Sequence, residues 1–66
     1  MVYPIPRSMM NKFAFYLEMY DDKRVSDKAR FALLEIGTKE FMRKNNLEKK
    51  LPFTNAAVWQ YINLRG

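Results

Sequence analysis

Side chains able to do chemistry fall into three groups in this chain, and two of them are thin. Asp21 and Asp22 are neighbours in a polar stretch, and the glutamates stand singly on helical faces. That placement solvates a surface and does not pair an acid with a base. Ser8, Ser26, Thr38 and Thr54 all sit where capping a helix is a sufficient role. No histidine is present to take a proton from any of them. The absence of both cysteine and histidine removes disulfides and the usual zinc ligands, and no glycine-rich loop is present to cradle a phosphate. No enzyme activity, metal, cofactor or small-molecule substrate is therefore expected. The third group is abundant: 12 Lys and Arg stand against 7 Asp and Glu, a net charge of +5. The excess is local, because residues 1–22 carry −1 and residues 23–50 carry +5. A basic concentration of that kind suits a polyanion such as DNA or RNA.

The elements that must position these charges are few. A chain of 66 residues supports one small core, and 48% apolar residues with 15% aromatics are enough to fill it. The longest uncharged apolar run, Phe13 to Leu17, is far short of the roughly 20 residues that span a membrane, so no membrane partner is expected. The amino terminus lacks the basic and apolar regions of a signal peptide. An intracellular location, nuclear for a nucleic-acid binder, and a place within a larger protein or complex are the expectation.

Helical periodicity runs throughout, giving an all-α fold of three helices in a single domain over residues 1–66. Pro4 and Pro6 hold residues 1–7 as an extended arm, since proline fixes its own φ and disfavours helix in the residue before it. Ser8 is positioned to cap helix 1 over residues 8–20, where Met9, Phe13, Tyr16, Leu17 and Tyr20 form one stripe. Ser26 and Asp27 open helix 2, residues 27–44, with Leu33, Leu34, Gly37 and Phe41 on a shared face. Gly37 weakens that helix by about 1 kcal/mol relative to Ala and so marks a close approach. Asn45 and Glu48 read as a capping box for helix 3, residues 46–64. Pro52 lies in its second turn, Phe53, Ala57, Tyr61 and Leu64 form its inner stripe, and Gly66 ends it.

The segment Pro6-Arg7-Ser8-Met9-Met10-Asn11-Lys12-Phe13-Ala14-Phe15-Tyr16 resembles the start of a high-mobility-group (HMG) box. Further pieces follow in the family's order: Ile36-Gly37 with Phe41 where a tryptophan is usual, then Glu48-Lys49, Pro52-Phe53 and Ala56-Ala57. The resemblance implies an L-shaped three-helix domain whose extended arm packs along helix 3. Its concave face would bind and bend DNA from the minor groove, without sequence specificity. It implies that Arg7 touches the backbone, that Asn11 reaches base edges, and that Met10, Phe13 and Ala14 lie against the groove. Lys12, Lys28 and Arg30 would add basic contacts. Ala14 stands at the helix-1 wedge position, and Val25 or Phe31 at the wedge of helix 2. The divergent Maelstrom-type boxes depart from the usual pattern in similar ways, and they extend the expectation to structured RNA.

Two other readings compete. Residues 51–62 are similar to the second half of a repressor helix-turn-helix, in which Thr54 caps a recognition helix and Asn55, Trp59 and Gln60 face the major groove. Pro52 stands where that turn normally has glycine. A small helical protein-interaction module, whose excess apolar residues dock on a partner, is the third reading. Trp59 is expected as a packed anchor and not as a base-stacking platform.

Overall fold

The computed structural model of the protein describes residues 5–47 and 54–65, and the described chain is all-helical without a strand. Pro6 is extended (φ −55°, ψ 140°), and its carbonyl accepts from the Met9 N–H at 2.9 Å. The chain therefore enters through one turn of 3₁₀ helix, Arg7–Met9, before α1 runs over Met10–Leu17. Ser8 lies inside that turn and caps neither start, because the proline carbonyl has already organised the entry. Met19 and Tyr20 donate back three residues, to Tyr16 at 3.3 Å and Leu17 at 2.9 Å. α1 thus ends at Leu17, short of the expected Tyr20, and residues 18–20 follow as tighter turn.

α2 spans Asp27–Lys44, the range its sequence predicts. Ser26 is extended and its Oγ accepts from the Ala29 N–H at 3.3 Å. Asp27 in the first turn and Arg43 and Lys44 in the last match the helix dipole. The pair Asn45-Asn46, expected to begin helix 3, closes α2 instead. Asn46 takes φ 57°, Asn46 N–H donates to the Arg43 carbonyl at 3.3 Å, and Leu47 N–H donates to the Met42 carbonyl at 2.8 Å. This is a Schellman stop with asparagine in the left-handed position that glycine usually fills. Asn45 Nδ2 adds a bond to the Phe41 carbonyl at 2.8 Å, and Leu47 buries beside Met42 to complete it. α3 spans Thr54–Arg65. The expected capping partner Glu48, the bend at Pro52 and the stripe residue Phe53 fall outside the described residues, as do residues 1–4.

The three helices meet at Phe13. Its ring stands edge-on to Phe41 of α2 at 5.3 Å and to Tyr61 of α3 at 6.2 Å, an arrangement favoured by ring quadrupoles. Leu17, Leu34, Met42, Ala57 and Val58 fill in around it. One stripe assignment changes, since Leu64 is 46% exposed near the end of α3, and Thr38, expected as a cap, takes a fully buried place in the middle of α2. The Thr38 hydroxyl donates to the Leu34 carbonyl at 2.8 Å, so it satisfies itself within the helix and is not a cap. The expected arm contact is present at Ile5, which is buried and whose N–H donates to Gln60 Oε1 at 3.3 Å. The radius of gyration, 11.0 Å, is that of a compact chain of this length, about 11 Å.

Gly37 is where the end of α1 presses on α2. A Cβ there would lie 2.6 Å from Tyr20 Cδ2 and 2.7 Å from Leu17 Cδ2, and Leu17 is fully buried with no room to swing away. In an open helix Gly→Ala gains about 1 kcal/mol. Here Gly37→Ala should lose about 1–2 kcal/mol net through overpacking, read as a lower midpoint in thermal denaturation. A midpoint at or above the parent's would show that the end of α1 gives way freely.

Candidate functional site

Helix geometry separates the residues that the HMG resemblance implicates. Phe13 is fully buried and Ala14 nearly so. Both lie on the inward side of α1 as core, which removes them from any contact surface. Arg30 is half-buried and its guanidinium is committed to Asp21, so it is not a free phosphate contact. Phe31 is half-buried with its ring 6.1 Å from Trp59. Lys28 and Val25 are exposed at the start of α2. Arg7, Asn11 and Lys12 are exposed and Met10 is half-buried. Arg7, Met10 and Asn11 come together in one groove, while Lys12 lies with Asn11 in another.

Two grooves flank the outward face of α1. The groove toward α3, about 500 Å³, is lined by Arg7, Met10, Asn11, Gln60 and Leu64. The groove toward α2, about 450 Å³, is lined by Asn11, Lys12, Phe15, Tyr16, Phe41, Lys44 and Asn45. Phe15, four residues after Asn11, stands 77% exposed in the groove toward α2, and Met19, four residues further on, is also exposed. Lys44 Nζ sits over the Tyr16 ring, 5.2 Å from its centroid. Among the described residues, neither groove is lined by a carboxylate. Glu18 pairs with Arg65 and Glu40 with Arg43, while Arg7, Lys12 and Lys44 form no ion pair among the described residues. Phe15 and Lys44 are members of this face that motif matching passes over. The signal for Phe15 was present in the period of the helix, since it falls opposite Phe13 and Leu17.

The helix-turn-helix assignment also meets its geometry. Gln60 is 8% exposed, its Oε1 taken by the Ile5 N–H and its Nε2 donating to the Met10 sulfur at 2.9 Å. Its amide ties the arm and α1 to α3 and is not free to read bases. Trp59 lies on the outer side of α3, more than half exposed, which corrects its assignment as a packed anchor.

A polar cluster sets the positions of the helices. Asp21 accepts two bonds from Arg30, and its Oδ2 accepts from the Tyr61 hydroxyl at 2.9 Å. The Arg30 bonds first, then that of Tyr61, hold the Asp21 carboxyl below its ordinary value of 3.8 against the opposing effect of burial. Burial first, then donation to Asp21, pushes the Tyr61 hydroxyl up from 10.0 to about 12. Among the described residues, no group of three or more acidic, histidine or cysteine side chains could hold a metal ion. Comparisons with protein-family models, curated proteins and solved structures found no match to this chain, so its functional reading rests on the residues themselves.

The two shifts predict how stability depends on pH. The raised Tyr61 value contributes stability that is complete below pH 10.0 and lost as pH climbs toward about 12. The lowered Asp21 value contributes stability that is present above about pH 4 and lost as pH falls through its depressed value. Thermal midpoints should form a plateau at intermediate pH and decline on both sides. In phenolate absorbance, Tyr61→Phe should remove a component that titrates at about 12. An unchanged titration curve would assign the alkaline loss to other groups.

Proposed function

We propose that this chain is a nucleic-acid-binding module, of HMG-box character, that contacts DNA or structured RNA with the outward face of α1 and its two flanking grooves. The observation that carries this reading is Phe15, an exposed aromatic ring in a groove that also presents Lys12 and Lys44 and, among the described residues, no carboxylate. A solvent-exposed phenylalanine gains when it inserts between base steps or stacks on an unpaired base, which is worth about 1–3 kcal/mol per base. Lys12, Lys44 and Arg7 supply phosphate contacts around it, and Asn11, shared by both grooves, is placed to reach a base edge or sugar. The apolar element moves one residue along from the position the resemblance implies, from Ala14 to Phe15. One residue turns the side chain by about 100° around a helix, from the core to solvent. The docking of Ile5 on α3 agrees with the packed arm that the resemblance implies. The proposed role needs no catalytic residue, and the binding is read as independent of sequence.

Phe15→Ala should weaken binding to duplex or branched DNA, or to structured RNA, by about 5- to 150-fold, the equivalent of about 1–3 kcal/mol. Its thermal midpoint should stay close to the parent's, because the ring is outside the core. With Arg7, Lys12 and Lys44 on phosphates, log affinity should fall with log salt at a slope near −3, from about 0.9 per contact. Parental affinity in Phe15→Ala together with a slope near zero would defeat the proposal.

A further inference from the structure

The groove between α1 and α2 holds a hollow beside its exposed ring. Phe15 stands out into solvent, while Phe41, almost fully buried, and the half-buried Tyr16 close the hollow with an apolar wall. Its volume of about 450 Å³ falls in the range of roughly 300–1,000 Å³ typical of pockets for small ligands. Two carboxamides line it. That of Asn11 makes no hydrogen bond among the described residues, and Asn45 commits its Nδ2 to the Phe41 carbonyl at 2.8 Å, which leaves its Oδ1 as an acceptor. Donors and acceptors thus stand beside an exposed aromatic ring. Cations are in place as well: Lys44 Nζ is held over the Tyr16 ring, and Lys12 lines the same groove.

A ring driven as a wedge into an intact stack acts alone. The hollow and its carboxamides would then meet only solvent, whereas a base that has left its stack engages all of them. Its face stacks on Phe15, its hydrogen-bonding edge meets Asn11 and Asn45, and the phosphates on either side of it reach Lys12 and Lys44. We infer that this groove receives a single unpaired base of a nucleic-acid strand, which narrows the nucleic-acid reading on which it rests to a bulged, looped or single-stranded substrate. In a fully paired duplex the same contact first requires a base to be unpaired and unstacked. Such a duplex is therefore the weaker ligand.

Three hairpins of one sequence, made in DNA and in RNA, test this: one fully paired, one with a single bulged adenosine, and one with an abasic residue at the bulge, which keeps the bend and removes only the base. The adenosine bulge should bind about 5- to 150-fold tighter than the other two. The side-chain amide signals of Asn11 in heteronuclear NMR should move on adding the adenosine bulge and stay in place with the abasic one. Phe15→Ala should bring the two bulged hairpins to near-equal affinity, and Asn11→Ala should narrow the gap between them, both with thermal midpoints close to the parent's. Equal binding of the adenosine and abasic bulges by the parent would overturn the inference, and salt-dependent binding of all three hairpins would leave the nucleic-acid reading standing. A preference for the adenosine bulge that survives Phe15→Ala would overturn it too, by placing the base elsewhere. Binding to none of the three would remove the nucleic-acid reading itself and this inference with it.

Discussion

The Asp21 carboxylate accepts hydrogen bonds from Arg30 on α2 and Tyr61 on α3, while the chain itself has just left α1. Three elements are thereby referenced to one pair of oxygen atoms. Tyr61 is fully buried, and its ring stacks edge-on against Phe13, so the hydroxyl bond also fixes the side chain around which the apolar core closes. A carboxylate taken partly out of water is tolerated when its lone pairs are used, and here donors from two helices use those of Asp21. The outward face of α1 inherits its orientation from this arrangement: with Phe13 held inward, Phe15 has no direction left but solvent.

Polar bonds of this kind do more than add stability to a core this small. Apolar stripes on three short helices specify that they pack, and only loosely in which register. Asp21, the Gln60 amide bridging Ile5 and Met10, and the close approach at Gly37 each reject a shifted register. A slip would leave a buried donor or acceptor unpaired, or drive a side chain into backbone.

The helical fold was legible because its signals are local. Ser26 followed by Asp27 marked the start of α2, and the close approach at Gly37 followed from the cost of glycine inside a helix. The errors arose where one residue type serves two opposite purposes. Asparagine caps helix starts and also tolerates the left-handed angle of a helix stop, and at Asn45-Asn46 the second use prevailed once Leu47 could bury beside Met42. Threonine likewise read as a cap at Thr38, where it is a buried filler bonded to its own helix. The candidate site suffered from matching a motif without turning the helix: Phe13 and Phe15 are equally aromatic, and only the period separates core from surface. The commitments of Arg30 and Gln60 could not be read, because Asp21 and Ile5 are brought to them by tertiary packing alone.

The contact between Ile5 and Gln60 joins positions 55 residues apart, yet once α1 and α3 are packed it orders only the short stretch before the 3₁₀ turn. Burying Ile5 returns about 1.5–3 kcal/mol and the neutral hydrogen bond about 0.5–1.5 kcal/mol. Fixing each backbone residue costs about 1–2 kcal/mol. Attachment of the arm is thus close to balanced, and its opening belongs to the low end of the ladder of local unfolding events. The Ile5 amide proton should exchange with solvent well before those of the bundle. Each such opening frees Gln60 Oε1 on the wall of the groove between α1 and α3, while Nε2 keeps its bond to the Met10 sulfur.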